Sequence, residues 1–199
     1  GSTYTNAVAM GDVDGDGDLD LLIGNFNSAN ELLLNDGHGH FSAADGFPGG
    51  GSGNTAAVAM GDVDGDGDLD LLIGNSGSYL YSVPNEMLLN DGHGNFSAAD
   101  GFPGGSAWTT AVAMGDVDGD GDLDLLIGND ASANELWLND GHGNFSAAGS
   151  FPGGRAATRA VAMGDVDGDG DLDLLVGNYQ VANELLAYTH CPDGGARLH

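Results

Sequence analysis

Apolar residues in this chain come in short runs separated by Gly, Asn and Asp. In the first fifty residues the runs are TNAVAM (residues 5–10), DLLIGN (20–25), NELLLN (30–35) and HFSAA (40–44), with the turn sequence DGHG at 36–39. No stretch keeps a helical period for the ten or so residues a helix needs, and runs of this length bounded by turn formers read as strands joined by hairpins. Asn, Asp and Gly tolerate the left-handed backbone of a tight hairpin, so NDGHG is read as the turn between the third and fourth strands.

The whole pattern then recurs. The string GDVDGDGDLDLL occurs four times, with its first Asp at Asp12, Asp62, Asp116 and Asp165, at steps of 50, 54 and 49 residues. AVAM precedes each copy, and NEL or NEM follows; the first three copies continue with NDGHG, F and FPGG. A single four-stranded sheet cannot bury both of its faces, but four in sequence can stack around an axis. The expectation is an all-β chain: one domain over residues 1–199, a β-propeller of four four-stranded antiparallel blades at approximately 3–46, 53–101, 107–149 and 156–199. In the fourth unit THCPDGGARLH replaces the NDGHG turn; residues 192–195 are expected to turn and 196–199 to form the edge strand. Closure within one chain is the first expectation, and two chains forming an eight-bladed ring is the alternative.

Charge narrows the function. With 31 acidic residues against 3 basic ones and a formal charge of −28, the chain repels phosphate backbones and anionic lipid, which argues against nucleic-acid and membrane-surface partners. No apolar run approaches the ~18 residues of a membrane span, so no membrane insertion is expected, and GSTYTNAVAM lacks the basic stretch and apolar core of a signal peptide. One cysteine, Cys191, cannot form an internal disulfide; it is either a lone thiol or the opening of a Cys-rich extracellular module. The expected partner is a cation.

Twenty of the acidic residues lie in the repeated loops. Counted from its first Asp, each loop carries carboxylates at positions one, three, five, seven and nine and Gly at six: Asp12, Asp14, Asp16, Asp18 and Asp20; Asp62, Asp64, Asp66, Asp68 and Asp70; Asp116, Asp118, Asp120, Asp122 and Asp124; Asp165, Asp167, Asp169, Asp171 and Asp173. Calcium takes six to eight oxygen ligands, and a tight loop with alternate side chains turned inward, plus a carbonyl at position seven, supplies them. As solvated turns these loops would be poor, since two like charges 4 Å apart cost ~1 kcal/mol in water and ~4 kcal/mol at an effective dielectric near 20. An EF-hand is excluded because position twelve holds Ile23, Ile73, Ile127 and Val176 instead of Glu, and the GGxGxD rhythm of calcium-binding β-helices is absent.

AVAMGDVDGDGDLDLLIGN followed by NELLLNDGHGNF resembles the FG-GAP/VCBS repeat, the blade unit of integrin α-subunit-type β-propellers. The resemblance covers all four units. It implies calcium in the loop between the first and second strands, about four ions in all. Side-chain ligands would be Asp12, Asp14, Asp16 and Asp20, Asp18 would give its carbonyl, and the matching residues of the other copies would do the same.

A loop repeated four times is expected to be structural and not catalytic. With dissociation constants near 10⁻⁴ M, millimolar calcium would add ~1.4 kcal/mol per site, so the metal-free chain is expected to be loose, and calcium this weakly held points to an extracellular or cell-surface setting. The copies differ most at the loops opposite the calcium loops, where Tyr4, Phe26, Tyr79, Tyr81, Trp108, Arg159 and Tyr179 are candidates for a ligand-binding face. The functional expectation is a calcium-binding adhesion or ligand-binding module, monomer or homodimer, with a glycan or protein ligand; a lectin and the accessory or catalytic domain of a secreted hydrolase are the alternatives. His38, His93 and His142 are read as turn residues, Met10, Met60, Met114 and Met163 as core, and Phe41, Phe96, Phe145, Phe47, Phe102 and Phe151 as packing between blades.

Overall fold

The structure is a computed structural model and describes residues 4–49, 53–77, 83–100, 102–105, 107–148, 156–190 and 196–198. All regular structure in them is β, and no helix is long and apolar enough to cross a membrane. Blade 1 is β1 (Tyr4–Gly11), β2 (Asp20–Phe26), β3 (Glu31–Asn35) and β4 (Phe41–Ala43). Blade 2 is β5 (Thr55–Gly61), β6 (Asp70–Asn75), β7 (Glu86–Asn90) and β8 (Phe96–Ala98). Blade 3 is β9 (Trp108–Gly115), β10 (Asp124–Asp130), β11 (Glu135–Asn139) and β12 (Phe145–Ala147). Each is an antiparallel meander in sequence order. The chain folds as four antiparallel β-propeller blades.

The fourth unit departs in its outer half. β13 (Thr158–Gly164), β14 (Asp173–Asn178) and β15 (Glu184–Leu186) form a three-stranded sheet, while β16 (Tyr188–His190) and β17 (Ala196–Leu198) pair with each other as a separate hairpin. The break falls at Ala187, where NELLAY replaces NELLLN, so the edge strand exists but is carried by the short extension of β15. The turn at residues 192–195 and Cys191 lie outside the described residues.

The core lies between the blades. In β1 and its counterparts, small residues (Ala7, Ala9) alternate with large ones (Val8, Met10), and the period of two sends them to opposite faces. The large side chains of one blade meet the small face of the blade before it. Val58, Met60 and Leu69 of blade 2 pack on Val13, Leu22 and Leu32 of blade 1; Val112, Met114 and Leu123 of blade 3 pack on Val63, Leu72 and Met87; Val161 and Met163 of blade 4 pack on Val117, Leu126 and Leu136. Glycines make the sockets. A Cβ on Gly74 would stand 2.9 Å from both Thr109 Cγ2 and Val112 Cγ1 of blade 3, and Gly24 and Gly128 face the same pair of residue types in the blades after them. Phenylalanines close the periphery edge to face: Phe47 on Phe96 at 5.9 Å and Phe102 on Phe145 at 5.7 Å. That is the packing expected for these four, whereas Phe41, with no blade before it, is exposed, and Phe151 is outside the described residues.

First strands stand side by side around the axis, β1 with β5, β5 with β9 and β9 with β13. Among the described residues no comparable packing joins β13 or β14 back to β1. The single-chain closure expected above is therefore not formed, and the four blades make an open arc.

Two substitutions test this account. Gly74→Ala overfills the blade 2–blade 3 socket and is expected to cost about 1–3 kcal/mol in chemical denaturation. Ala131 adopts a left-handed backbone (φ 57°), so Ala131→Gly is expected to raise stability by about 1 kcal/mol in the same assay.

Candidate metal centres

Each β1–β2-type connection is the acidic loop, and its ninth residue opens the second strand. Asp20, Asp70, Asp124 and Asp173 lie opposite Gly11, Gly61, Gly115 and Gly164 in register and are buried. Main-chain donors explain how a carboxylate can sit there. Asp20 accepts from Val13 N at 2.9 Å and Asn35 N at 2.8 Å; Asp70 from Val63 N and Asn90 N, both at 2.8 Å; Asp124 from Val117 N at 2.8 Å and Asn139 N at 2.9 Å; Asp173 from Val166 N at 2.8 Å. The ninth residue thus ties the loop to the second strand, and Asp20, Asp70 and Asp124 tie it to the end of the third strand as well.

The first residue shapes the loop from inside. Asp12 accepts from Gly15 N at 2.8 Å and Gly17 N at 2.9 Å, and Asp62, Asp116 and Asp165 repeat both bonds. Positions three and five accept from the main chain two residues on, as in Asp14 with Asp16 N and Asp16 with Asp18 N. Position six needs a positive φ, 94° at Gly17 and 95–99° in the other copies, which a Cβ would strain.

Carboxylate oxygens converge as a result. Asp12, Asp14 and Asp20 bring ligand atoms within 4.8 Å of one another, as do Asp62, Asp64 and Asp66, then Asp116, Asp118 and Asp124, then Asp165, Asp167 and Asp173. Position five joins the cluster only in the second loop, in place of Asp70, and its residue is exposed in all four loops. The position-seven side chains point elsewhere: those of Asp18, Asp68 and Asp122 lie over Gly37, Gly92 and Gly141 of the β3–β4-type turns, where a Cβ would collide with them. Asp171 gives its main-chain N–H to Asp169.

Crowding and burial make Asp14, Asp64, Asp70, Asp118 and Asp124 harder to ionise without a cation. Burial, then the neighbouring carboxylates of Asp20 and Asp16, holds Asp14 above the usual range, and burial followed by the adjacent Asp66 or Asp120 does the same to Asp64 and Asp118. Burial outweighs two N–H donors at Asp70 and Asp124 and pushes both up to about 6. The clustered ligand atoms are all carboxylate oxygen, the set a hard divalent ion takes, and the residues fit calcium.

Sequence reasoning missed the asparagines that brace these loops. Asn90 Nδ2 donates to Val13 O of the preceding blade's loop at 2.8 Å, and Asn139 Nδ2 to Val63 O at 2.7 Å. Their signal is the recurring Asn before Asp-Gly, which local pattern alone assigns to the turn.

At the far end of the same hairpins stand the variable residues. Tyr4 pairs in register with Phe26 and Trp108 with Asp130, the opposite end from Asp20 and Asp124. Tyr4, Phe26 and Tyr179 are exposed and Trp108 partly so. Arg159 bridges two blades, with Nη1 3.2 Å from Asp130 Oδ2 and its guanidinium 5.3 Å from the Tyr179 ring centre. Buried Asn25, Asn75 and Asn129 pin the loops behind this rim to Asn30, Asn85 and Asn134. Tyr79 and Tyr81 lie outside the described residues.

Raised carboxylates set the sign of the pH response. Without metal, the contribution of Asp70 and Asp124 is fully present below pH ~4 and lost as pH rises through ~6, because the folded state holds the proton more tightly than the unfolded chain. The melting temperature in EDTA is expected to fall between pH 4 and 7, and in saturating calcium, which binds the ionised form, to rise over the same interval.

No curated protein matches the chain. Among solved structures it is similar to BBS1N in its crystal structure with ARL6DN, soaked with lead (12% identity, TM-score 0.53, covering 89% of this chain and 51% of that one). It is also similar to the biofilm matrix protein Bap1 of V. cholerae (16% identity, TM-score 0.38, covering 88% of this chain and 35% of that one). The first likeness is one of fold alone, and this chain spans about half the length of the first protein and about a third of the second. The model of the FG-GAP-like repeat matches residues 12–73, 70–127 and 116–176, most of the chain and each acidic loop in turn. The chain belongs to the FG-GAP-like repeat family.

Proposed function

We propose that this propeller binds about four calcium ions, one per acidic loop, and acts outside the cell as an adhesion or ligand-binding module without catalysis of its own. Family and fold support a non-catalytic binding module in general. The observation that carries the calcium reading is the recurrence of a carboxylate cluster in four loops whose main chain is already folded around the clustering groups. Asp12, Asp14, Asp16 and Asp20 would hold the ion with their side chains and Asp18 with its carbonyl; the other sets are Asp62, Asp64, Asp66, Asp70 with Asp68, Asp116, Asp118, Asp120, Asp124 with Asp122, and Asp165, Asp167, Asp169, Asp173 with Asp171. Bound calcium would neutralise the crowded carboxylates, and at millimolar concentration with ~10⁻⁴ M sites the four together supply roughly 6 kcal/mol, comparable with the ~5–15 kcal/mol stability of a domain. Calcium is abundant enough outside cells to fill such sites.

The partner would meet the opposite rim. Tyr4, Phe26, Trp108 and Tyr179, with Arg159 clamped between Asp130 and Tyr179, place aromatic surface and one cation at the strand ends beside loops anchored by buried asparagines, which suits a glycan or a protein ligand.

Calorimetric titration of EDTA-stripped protein with calcium is expected to give about four ions per chain and a melting temperature higher by roughly 10 °C or more. Asp116→Asn combined with Asp118→Asn is expected to remove one ion and leave the others. A melting temperature indifferent to EDTA would reject the calcium reading. On a glycan array, binding that is lost in Trp108→Ala and Tyr179→Ala would place the ligand on the rim.

A further inference from the structure

The two ends of the arc carry the two halves of an interface that the chain has already built three times. Blade 1 exposes the large face of its first strand: Val8 and Met10 are 64% and 61% exposed, with Leu19 and Phe41 uncovered beside them. Their counterparts in blades 2 and 3 (Val58, Met60, Leu69 and Phe96; Val112, Met114, Leu123 and Phe145) are seated against the blade before. Blade 4 exposes the receiving face: Val166, Leu175 and Leu185 are 61%, 46% and 52% exposed, whereas Val13, Val63 and Val117, Leu22, Leu72 and Leu126, and Leu32, Met87 and Leu136 are at most 3% exposed.

The sockets tell the same story. Gly11, Gly61 and Gly115 each lie within 3.0 Å, measured from a built Cβ, of the methionine sulfur and a leucine methyl of the following blade, but nothing lies within 4 Å of Gly164. Gly24, Gly74 and Gly128 receive a threonine and a valine, but Gly177 meets only Ala160 of its own sheet. Polar contacts follow suit. Asn90 and Asn139 reach back to Val13 O and Val63 O, while Asn35, at the same position in blade 1, bonds only within its own blade, to Leu19 O at 3.2 Å.

We propose that blade 4 of one chain packs on blade 1 of a second copy, with Met10 and Leu19 seated at Gly164, Val8 and Thr5 at Gly177, and Asn35 donating to Val166 O, and that two copies joined at both ends form a ring of eight blades. The occupant is specified by the faces themselves: the surface that fills Gly11, Gly61 and Gly115 is the one blade 1 presents, residue for residue. Such an interface is heterologous, joining unlike faces, and closes only if the accumulated rotation returns the chain end to its start. Exposed apolar surface of this kind is seldom left uncovered.

Light scattering on the calcium-loaded chain at ~100 µM is expected to give twice the 20.0 kDa chain mass. Met10→Arg spoils one face and Leu185→Arg the other; both side chains are exposed, so each variant is expected to keep the wild-type circular dichroism and to run as a monomer. Mixed one to one, the two variants still own one intact pair of faces and are expected to regain the two-chain mass. A monomeric wild type overturns the proposal, whether because one chain closes on itself or because further repeats of a longer polypeptide cover these faces. A mixture that stays monomeric overturns it too, and so does either variant dimerising alone, which would mean like faces meet.

Discussion

Everything in this molecule rests on a blade having no core of its own. The buried apolar side chains sit in clusters shared by neighbouring blades, with valine, methionine and leucine of one sheet set into glycine and alanine of the sheet before. Close approach of the first strands is possible only because those glycines carry no Cβ. The hydrophobic gain therefore belongs to pairs, and stability is approximately a sum over neighbour contacts. Blades 2 and 3 are covered on both sides, whereas blades 1 and 4 are each covered on one.

The acidic loops are connected to the same packing. Val13, Val63 and Val117 come from within the loops yet are buried in the shared clusters, and each gives its N–H to the ninth-position carboxylate. In the first two loops the valine carbonyl takes an asparagine of the next blade. A cation drawn to the carboxylates would therefore steady the loop, and through the valine the seam between blades. This connects a local electrostatic event to the packing that maintains the arc, and it accounts for identical loops in all four units better than a role confined to the surface would.

Much of this was legible in the residue pattern. Short apolar runs between Asn, Asp and Gly gave the strands their places, and the register of each first hairpin puts the acidic loop at one end and the variable aromatics at the other, as the repeat comparison implied. Other features depend on contacts between units. Local pattern places Gly92 in a turn and Gly74 in a strand, but only Thr109 and Val112 of the next blade make Gly74 a socket. The burial of Asp70 and Asp124 behind two N–H donors, and the bracing asparagines, also require the third dimension. The fourth unit was harder still: Ala187 interrupts a strand that its neighbours continue, and the two end faces are exposed because of what stands beside them, while their own residues match those of covered faces.

Phe47 and Phe102, in the connections that follow blades 1 and 2, also belong to the next blade's seam, where they meet Phe96 and Phe145. A gene duplication that inserts or deletes one whole unit, from acidic loop to acidic loop, would leave every surviving seam with its proper partners. A cut elsewhere would strand half of one. Lineages built on this repeat are thus free to change their number of copies, but only in whole steps.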